Sequence, residues 1–336
     1  MTTNNNPPRQ SILIIGCGIA GPTLASFLLL GCSSTTPPTP PPYITVLERS
    51  STPRTTGQNI DIRGVGVTLI RKLGIASAIL EHTTNEAGVR HVDSSNRVWG
   101  EMAASSDEQY HSPTSDIEIL RGRLAQICVK RCLSLGKETD AGVEFIFGVY
   151  AEAIEEDGAQ VRVKFRRSGK ERRFDVVVGA DGLMSSTRRM VWGEKGEEAR
   201  MKRLGVYGAF FSMPSSEADG LWRRWYRAPG GRGVMIRPSE SRDRSTVTML
   251  VCNDDKDPRF REMAALGTKR EKSYKEVVAA QKGLLNEYFD KDDFGWEGPR
   301  IVKEMMQAGD FYYSAVAQVK MEKWSKGRVV LLGDAG

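Results

Sequence analysis

The 336 residues include 48 lysines and arginines against 42 aspartates and glutamates, and 40% of the chain is hydrophobic. That apolar content excludes a disordered or fibrous chain, and the length exceeds one small module, since single cores stop growing at roughly 250–300 residues. The net charge of +6 is small and spread along the chain, so it argues against a nucleic-acid partner and leaves a mild preference for anionic ligands.

Ser11 to Ile15 is a short continuous apolar run, the signature of a strand buried on both faces of a parallel sheet. Gly16-Cys-Gly18-Ile-Ala-Gly21 follows at once, and Pro22 to Leu30 carries small and apolar residues at helical spacing. Broken by Gly16, Gly18, Gly21 and Pro22, the stretch is neither a membrane span nor a signal peptide and reads as strand, turn and helix. In that context Gly16 allows a tight turn, Gly18 lets a pyrophosphate approach the backbone, and Gly21 lets helix and strand pack closely. The expected acidic partner is Glu48, which ends the strand Tyr43 to Leu47 and would accept hydrogen bonds from adenosine ribose hydroxyls. A carboxylate there repels a 2′-phosphate, so FAD or NAD is favoured over NADP at this site. The long gap between Gly21 and Glu48 is taken up by a proline-rich loop, residues 33–42, an extended segment whose closure costs little.

Glu48-Arg49 is followed by Arg54-Thr-Thr-Gly57, then by Asn59 to Gly64 and a helix-like Val65 to Leu73. With this Glu-Arg strand end and its Arg-x-x-Gly loop, the sequence resembles the single-component, FAD-dependent aromatic hydroxylases, the para-hydroxybenzoate hydroxylase-like monooxygenases. Ile117-Glu-Ile-Leu-Arg121 is similar to that family's strand-to-helix junction, which implies that Arg121 reaches the ribityl-pyrophosphate region of the flavin. Asp181-Gly182-Leu-Met-Ser185-Ser-Thr-Arg188, emptying from the buried run Phe174 to Ala180, resembles the family's Asp-Gly motif, linked to FAD and to the nicotinamide cofactor. The resemblance implies helix-terminal amides and Arg188 facing a pyrophosphate; read in isolation, Asp181 also fits as the cap of its helix. Lys326 to Gly336 matches the Gly-Asp motif, implying that Asp334, after Gly333, hydrogen-bonds a ribityl hydroxyl.

Between these motifs, Gly205 to Phe211, Leu221 to Arg227, Gly233 to Arg237 and Ser245 to Val251 alternate as antiparallel strands do, and Lys269 to Tyr288 is a charged helical stretch. The resemblance makes this sheet the substrate lobe. Trp222, Trp225, Tyr226, Arg232 and Arg237 are candidates to line a pocket for an aromatic, partly anionic substrate, with Trp225, Tyr226 and Arg237 taken forward. The run Arg223-Arg224 to Arg227 and the cluster Arg166 to Arg173 read as solvated faces.

The expected fold is α/β: a Rossmann-like FAD-binding domain with a parallel sheet (residues 1–200), a mixed or antiparallel β-sheet substrate lobe of α+β type (201–325), and a return strand of the FAD domain (326–336). The implied function is an FAD-dependent monooxygenase. NAD(P)H reduces FAD, O2 is captured as a flavin C4a-hydroperoxide, and one oxygen atom passes to an aromatic or polyketide-like small molecule. An FAD-dependent reductase of the same fold is the alternative; a halogenase lacks its Trp-x-Trp-x-x-Pro signature here. No nucleophile, triad or metal set is expected. Cys17, Cys32, Cys128, Cys132 and Cys252 show no ligand or disulfide spacing, which suits a reducing, cytoplasmic compartment. No nucleic acid and no stable membrane anchor are expected as partners, and the chain is expected as a monomer or homodimer. In the resembled family the Gly-Asp motif continues into Ala-Ala-His-Pro or similar and a closing helix. This sequence ends at Gly336, inside the motif, so weak FAD binding is expected unless it is extended, with a truncated non-catalytic nucleotide-binding homologue as the further alternative.

Overall fold

A computed structural model describes residues 9–34, 40–53, 55, 57–104, 117–139, 141–166, 169–253, 256–266, 273–291 and 293–336. The first third forms strand β1 (Ser11–Ile15), helix α1 (Ala20–Ser34), β2 (Tyr43–Glu48), β3 (Asn59–Asp61), α2 (Val65–Lys72), α3 (Ala76–Leu80), β4 (Gly88–Val92) and β5 (Val98–Ala103). Then come β6 (Glu118–Leu120), α4 (Arg121–Glu138), β7 (Val143–Phe147), β8 (Ala151–Glu156), β9 (Val161–Phe165), β10 (Glu171–Phe174), β11 (Val176–Gly179), α5 (Ser186–Trp192) and α6 (Glu197–Arg200). The last part holds β12 (Met201–Pro214), β13 (Trp222–Ala228), β14 (Arg232–Pro238), β15 (Arg244–Cys252), α7 (Arg259–Leu266), α8 (Tyr274–Phe289) and α9 (Gly298–Gln307). It closes with β16 (Tyr312–Val319), β17 (Ser325–Lys326), β18 (Val329–Leu331) and a 3-10 turn at Gly333–Ala335. Among the described residues no helix is long and apolar enough to cross a membrane.

The apolar runs of β1, β2 and β11 do what continuous hydrophobic strands do: they lie inside a parallel sheet with both faces covered. Its order is β17-β18-β11-β1-β2-β7, parallel throughout except for β17. Ile12 and Ile14 point toward α1 and α4, where Ala25, Leu29, Cys132 and Leu135 bury them. Leu13 and Ile15 point the other way, onto Val161, Val163, Phe165 and Phe174 of the antiparallel sheet β10-β9-β8. Cys128 and Cys132 are free thiols packed in the same helical layer, with the Thr23 hydroxyl donating to Cys128 Sγ at 3.6 Å.

The second body is a seven-stranded sheet, β16-β12-β15-β14-β13-β4-β5, antiparallel save for the β13–β4 pair. One face packs on α7, α8 and α9 through Tyr207, Phe211, Val234, Val247, Met249, Leu285, Phe289, Ile301 and Met305. Its outer strands correct the division at residue 200: β4 and β5 come from the first third of the chain yet pair into this sheet, Trp222 opposite Gly88 and Trp225 opposite His91. Gly88 makes this join possible. It sits at φ +146°, and a Cβ there would lie 2.3 Å from the Met102 carbonyl oxygen and 2.6 Å from the Trp222 ring.

Candidate cofactor and substrate site

The glycine-rich turn, the Asp-Gly turn and the Gly-Asp turn leave the carboxyl ends of β1, β11 and β18, three adjacent parallel strands, and Glu48 ends the next strand over. Turns spread from residue 16 to residue 334 thereby line one edge of one sheet, the place where open α/β sheets bind ligands. The junctions interlock: the Ala180 amide donates to the Ile15 carbonyl at 2.8 Å, and the Leu332 amide to the Gly179 carbonyl at 2.8 Å.

Each glycine has its own reason. Gly16, at φ +118°, lies so close to the Asp-Gly turn that a Cβ would stand 2.3 Å from the Ala180 carbonyl oxygen. A Cβ on Gly21 would be 2.1 Å from the Gly16 carbonyl oxygen, so helix and turn touch there. A Cβ on Gly18 or Gly182 would meet nothing within 4 Å; these two face open space. Gly57, at φ +140°, packs its backbone on Arg121, whose amide donates to the Gln58 carbonyl at 3.0 Å. Gly333 rests against Ala20, and Asp334 is exposed beside it. Glu48 turns back over the glycine-rich loop, accepting from the Cys17 amide at 3.0 Å and the Ser50 amide at 2.9 Å, with Arg49 exposed next to it. Burial, reinforced by the Glu48 carboxylate, pushes the Cys17 thiol up to about 12, which removes it as a nucleophile. Arg54 lies outside the described residues.

Ser185 caps α5, accepting from the Arg188 amide at 2.9 Å, and Asp181 braces the same turn: its carboxylate accepts from the Thr187 amide at 3.0 Å and from the hydroxyls of Ser185, Ser186 and Thr187. Arg188 corrects the sequence expectation. Its side chain is fully buried and faces no cleft; Nε and Nη2 bind Glu197, Nη1 donates to the Ala335 carbonyl at 2.7 Å, and Nη2 to the Leu183 carbonyl at 2.8 Å. Two cofactor turns are thus bolted together from behind by one guanidinium.

The face of the seven-stranded sheet away from the helices looks toward the cofactor turns, because Tyr312 Oη reaches Gln58 and Asn59 Nδ2 donates to the Pro238 carbonyl at 3.5 Å. Strand alternation sorts the substrate candidates. Trp225 is on this open face, its Nε1 buried without a partner, with Arg227 over its ring at 5.6 Å and His91 on the neighbouring strand in register. Tyr226 is not: it points into the helical core and donates to the Phe294 carbonyl at 2.6 Å. Arg232 also points to the helix side, bound to Asp293 and the Tyr288 carbonyl, and Trp222 lies under Arg90 at 4.2 Å. Arg237 is on the open face but buried, held by Glu86 (Nε to Oε1, 2.7 Å) and by Glu118. Arg223 and Arg224, expected on a solvated face, are buried as well: Arg223 joins Glu86 and Glu118, and Arg224 joins Asp219 and Glu297. Sequence reasoning missed Glu86 and Glu118; the signal was an acidic residue set inside Ile117-Glu118-Ile119-Leu120.

A family model described as FAD binding domain matches residues 9–284. The FAD-dependent monooxygenase asL6 of Sarocladium schorii is 32% identical over 340 residues, covering 97% of this chain and 73% of that protein. A flavin-dependent monooxygenase of Legionella longbeachae serogroup 1 is 31% identical over 334 residues, covering 97% of this chain and 73% of its own length. Among solved structures, the tetracycline destructase Tet(51) superposes with a TM-score of 0.73 at 29% identity, over 98% of this chain and 76% of that one. The sheet edge built from three motif turns and Glu48 and the matches across nearly the whole chain agree: the chain belongs to the FAD-binding family of flavin-dependent monooxygenases, and its cofactor is FAD.

Proposed function

We propose that the protein uses NAD(P)H and O2 to insert one oxygen atom into an aromatic or polyketide-like small molecule held between the cofactor turns and the open sheet face. The observation that carries this reading is the opposition of the two surfaces: the carboxyl edge with Gly18, Gly182 and Asp334 on one side, Trp225 and its neighbours on the other. Likeness to a tetracycline destructase supports a multi-ring, hydroxylated substrate.

FAD held here would supply the redox chemistry between the nicotinamide and oxygen. The chain's residues supply place and protection. The open backbone at Gly18 and the first amides of α1 would hold the pyrophosphate, Glu48 the adenosine ribose, and Asp334 a ribityl hydroxyl. Arg121, braced by Gly57, would serve the ribityl-pyrophosphate region. Arg188 touches no cofactor and keeps the Asp-Gly and Gly-Asp turns in place. Trp225 offers a ring and an unused N–H donor to the substrate. The test is oxygen uptake and NAD(P)H oxidation by the FAD-loaded protein across a panel of polyphenols and tetracyclines, with product mass. A mass gain of one oxygen supports the reading; nicotinamide oxidation without oxygen insertion makes the enzyme a reductase.

A further inference from the structure

Four charged side chains at the base of the cleft take no part in the cofactor turns. Glu118 is on β6, three residues before Arg121; Glu86 precedes β4; Arg223 and Arg237 are on β13 and β14. Side-chain exposure is 1% for Glu86, 2% for Glu118, 7% for Arg237 and 10% for Arg223. Arg223 Nη2 reaches Glu86 at 2.8 Å and Glu118 at 3.3 Å, and Arg237 binds both carboxyls. Asp61 of β3, opposite Glu118 in the strand pair, adds its field at Arg237. Among the described residues the neutral neighbours include Asn59 of β3, Thr84 beside the Glu118 backbone and Thr246 opposite Arg237, each of which keeps a buried polar atom without a partner. Buried ion clusters of this kind add little net stability, so a role in specifying geometry is the reason to look for.

The geometry suggests that role. The antiparallel pair β3–β6 begins next to Gln58 and leads into Arg121, while the arginines belong to the strands that carry Trp225 and Met235. We propose that Glu118 is a positioning residue: through Arg223 and Arg237 it holds the β3–β6 strand pair, and with it Gly57 and Arg121, against the substrate-facing sheet.

The carboxyls of Glu86 and Glu118 share the same two guanidiniums in a buried cluster, and a proton on one of them relieves their mutual repulsion. Burial pushes Glu118 up, to about 7, with Glu86 adding to the rise, whereas at Glu86 the two arginines outweigh burial and hold it low. Glu118 is therefore the proton holder. As pH rises through that value the proton leaves and two buried carboxylates share the two arginines; the β3–β6 pair is then held less firmly.

The proposal rests on the cofactor site above, but its primary readout does not. Hydrogen exchange of the β3–β6 pair (residues 57–61 and 118–121) in the full chain is measured at about pH 6 and about pH 8.5 and corrected for intrinsic rates, beside FAD titrations at both pH values. Wild-type protein is expected to lose protection there and FAD affinity about three- to tenfold across that interval. In Glu118→Gln the side chain is neutral at both pH values, so protection stays at the low-pH value throughout. Wild-type protection that does not change with pH, or an E118Q profile that follows the wild-type one, overturns the proposal. If E118Q does not fold, the wild-type exchange profile decides alone. Exchange of the strand pair that behaves as expected without FAD binding at either pH would keep the clasp and defeat the cofactor site.

Discussion

Gly16 and Gly18 stand two residues apart in one turn, and the structure gives them different work. An alanine at 16 would need φ +118° and would drive a methyl to 2.3 Å from the Ala180 carbonyl, fixed in the neighbouring strand end. Gly16→Ala is expected to cost about 2–4 kcal/mol in urea denaturation of the cofactor-free protein. Gly18→Ala meets no atom within 4 Å, so its unfolding free energy should match wild type within about 0.5 kcal/mol. Its methyl does occupy the approach to the backbone, and FAD should bind at least about tenfold more weakly by flavin-fluorescence titration. Equal FAD affinity in Gly18→Ala would place the pyrophosphate elsewhere. Arg188 is the opposite kind of residue, one that supports the site without reaching it. Arg188→Ala takes from Glu197 its nearest cation, leaving Arg200 at 3.7 Å, and strands two carbonyls, so about 3 kcal/mol of stability should go with it. Lysine should not rescue it, because one ammonium cannot serve the three directions that Nε, Nη1 and Nη2 serve.

Strand β13 shows what an element adds to its residues. Its alternation sends Arg223, Trp225 and Arg227 to one face and Arg224 and Tyr226 to the other, so neighbours in sequence answer to different neighbours in space. Tyr226→Phe is expected to lose about 1 kcal/mol with its bond to the Phe294 carbonyl and to leave the substrate KM unchanged. Trp225→Ala should raise that KM about tenfold or more with a smaller effect on folding, and steady-state kinetics on one substrate would expose any reversal of the two. The same alternation explains what could be read from the chain alone. The motif turns were legible because each is local: an apolar run, a glycine and a capping residue within a dozen positions. The fates of Arg223 and Arg237 were not, since their partner Glu86 lies 137 and 151 residues away and reaches them through a strand pairing, β4 on β13, that no local pattern announces. A run of arginines looks solvated until the carboxylates that neutralise it are found.

At the scale of the molecule, the cofactor edge is assembled from turns that span nearly the whole chain, and the substrate sheet is tied to that edge at several points. Tyr312 meets Gln58, Asn59 meets the Pro238 carbonyl, and the Glu86–Glu118 cluster joins the β3–β6 pair to β13 and β14. A ligand that engages Gly18, Glu48 and Asp334 together therefore bridges the ends of β1, β2 and β18, which meet only in the folded chain. FAD should accordingly bind the native state and not the unfolded one, and at a hundred times its dissociation constant it should add about 2.7 kcal/mol to the unfolding free energy. Tryptophan fluorescence and far-UV circular dichroism should report the same displaced midpoint. Trp222, Trp225 and Trp296 sit in the sheet body and Trp192 packs against the parallel sheet, so both bodies contribute to the fluorescence. Two separate transitions, only one of them displaced by FAD, would mean that the bodies unfold separately and that the ties between them are weak. A common shift, abolished in Gly18→Ala, would show that one ligand at one sheet edge stabilises both.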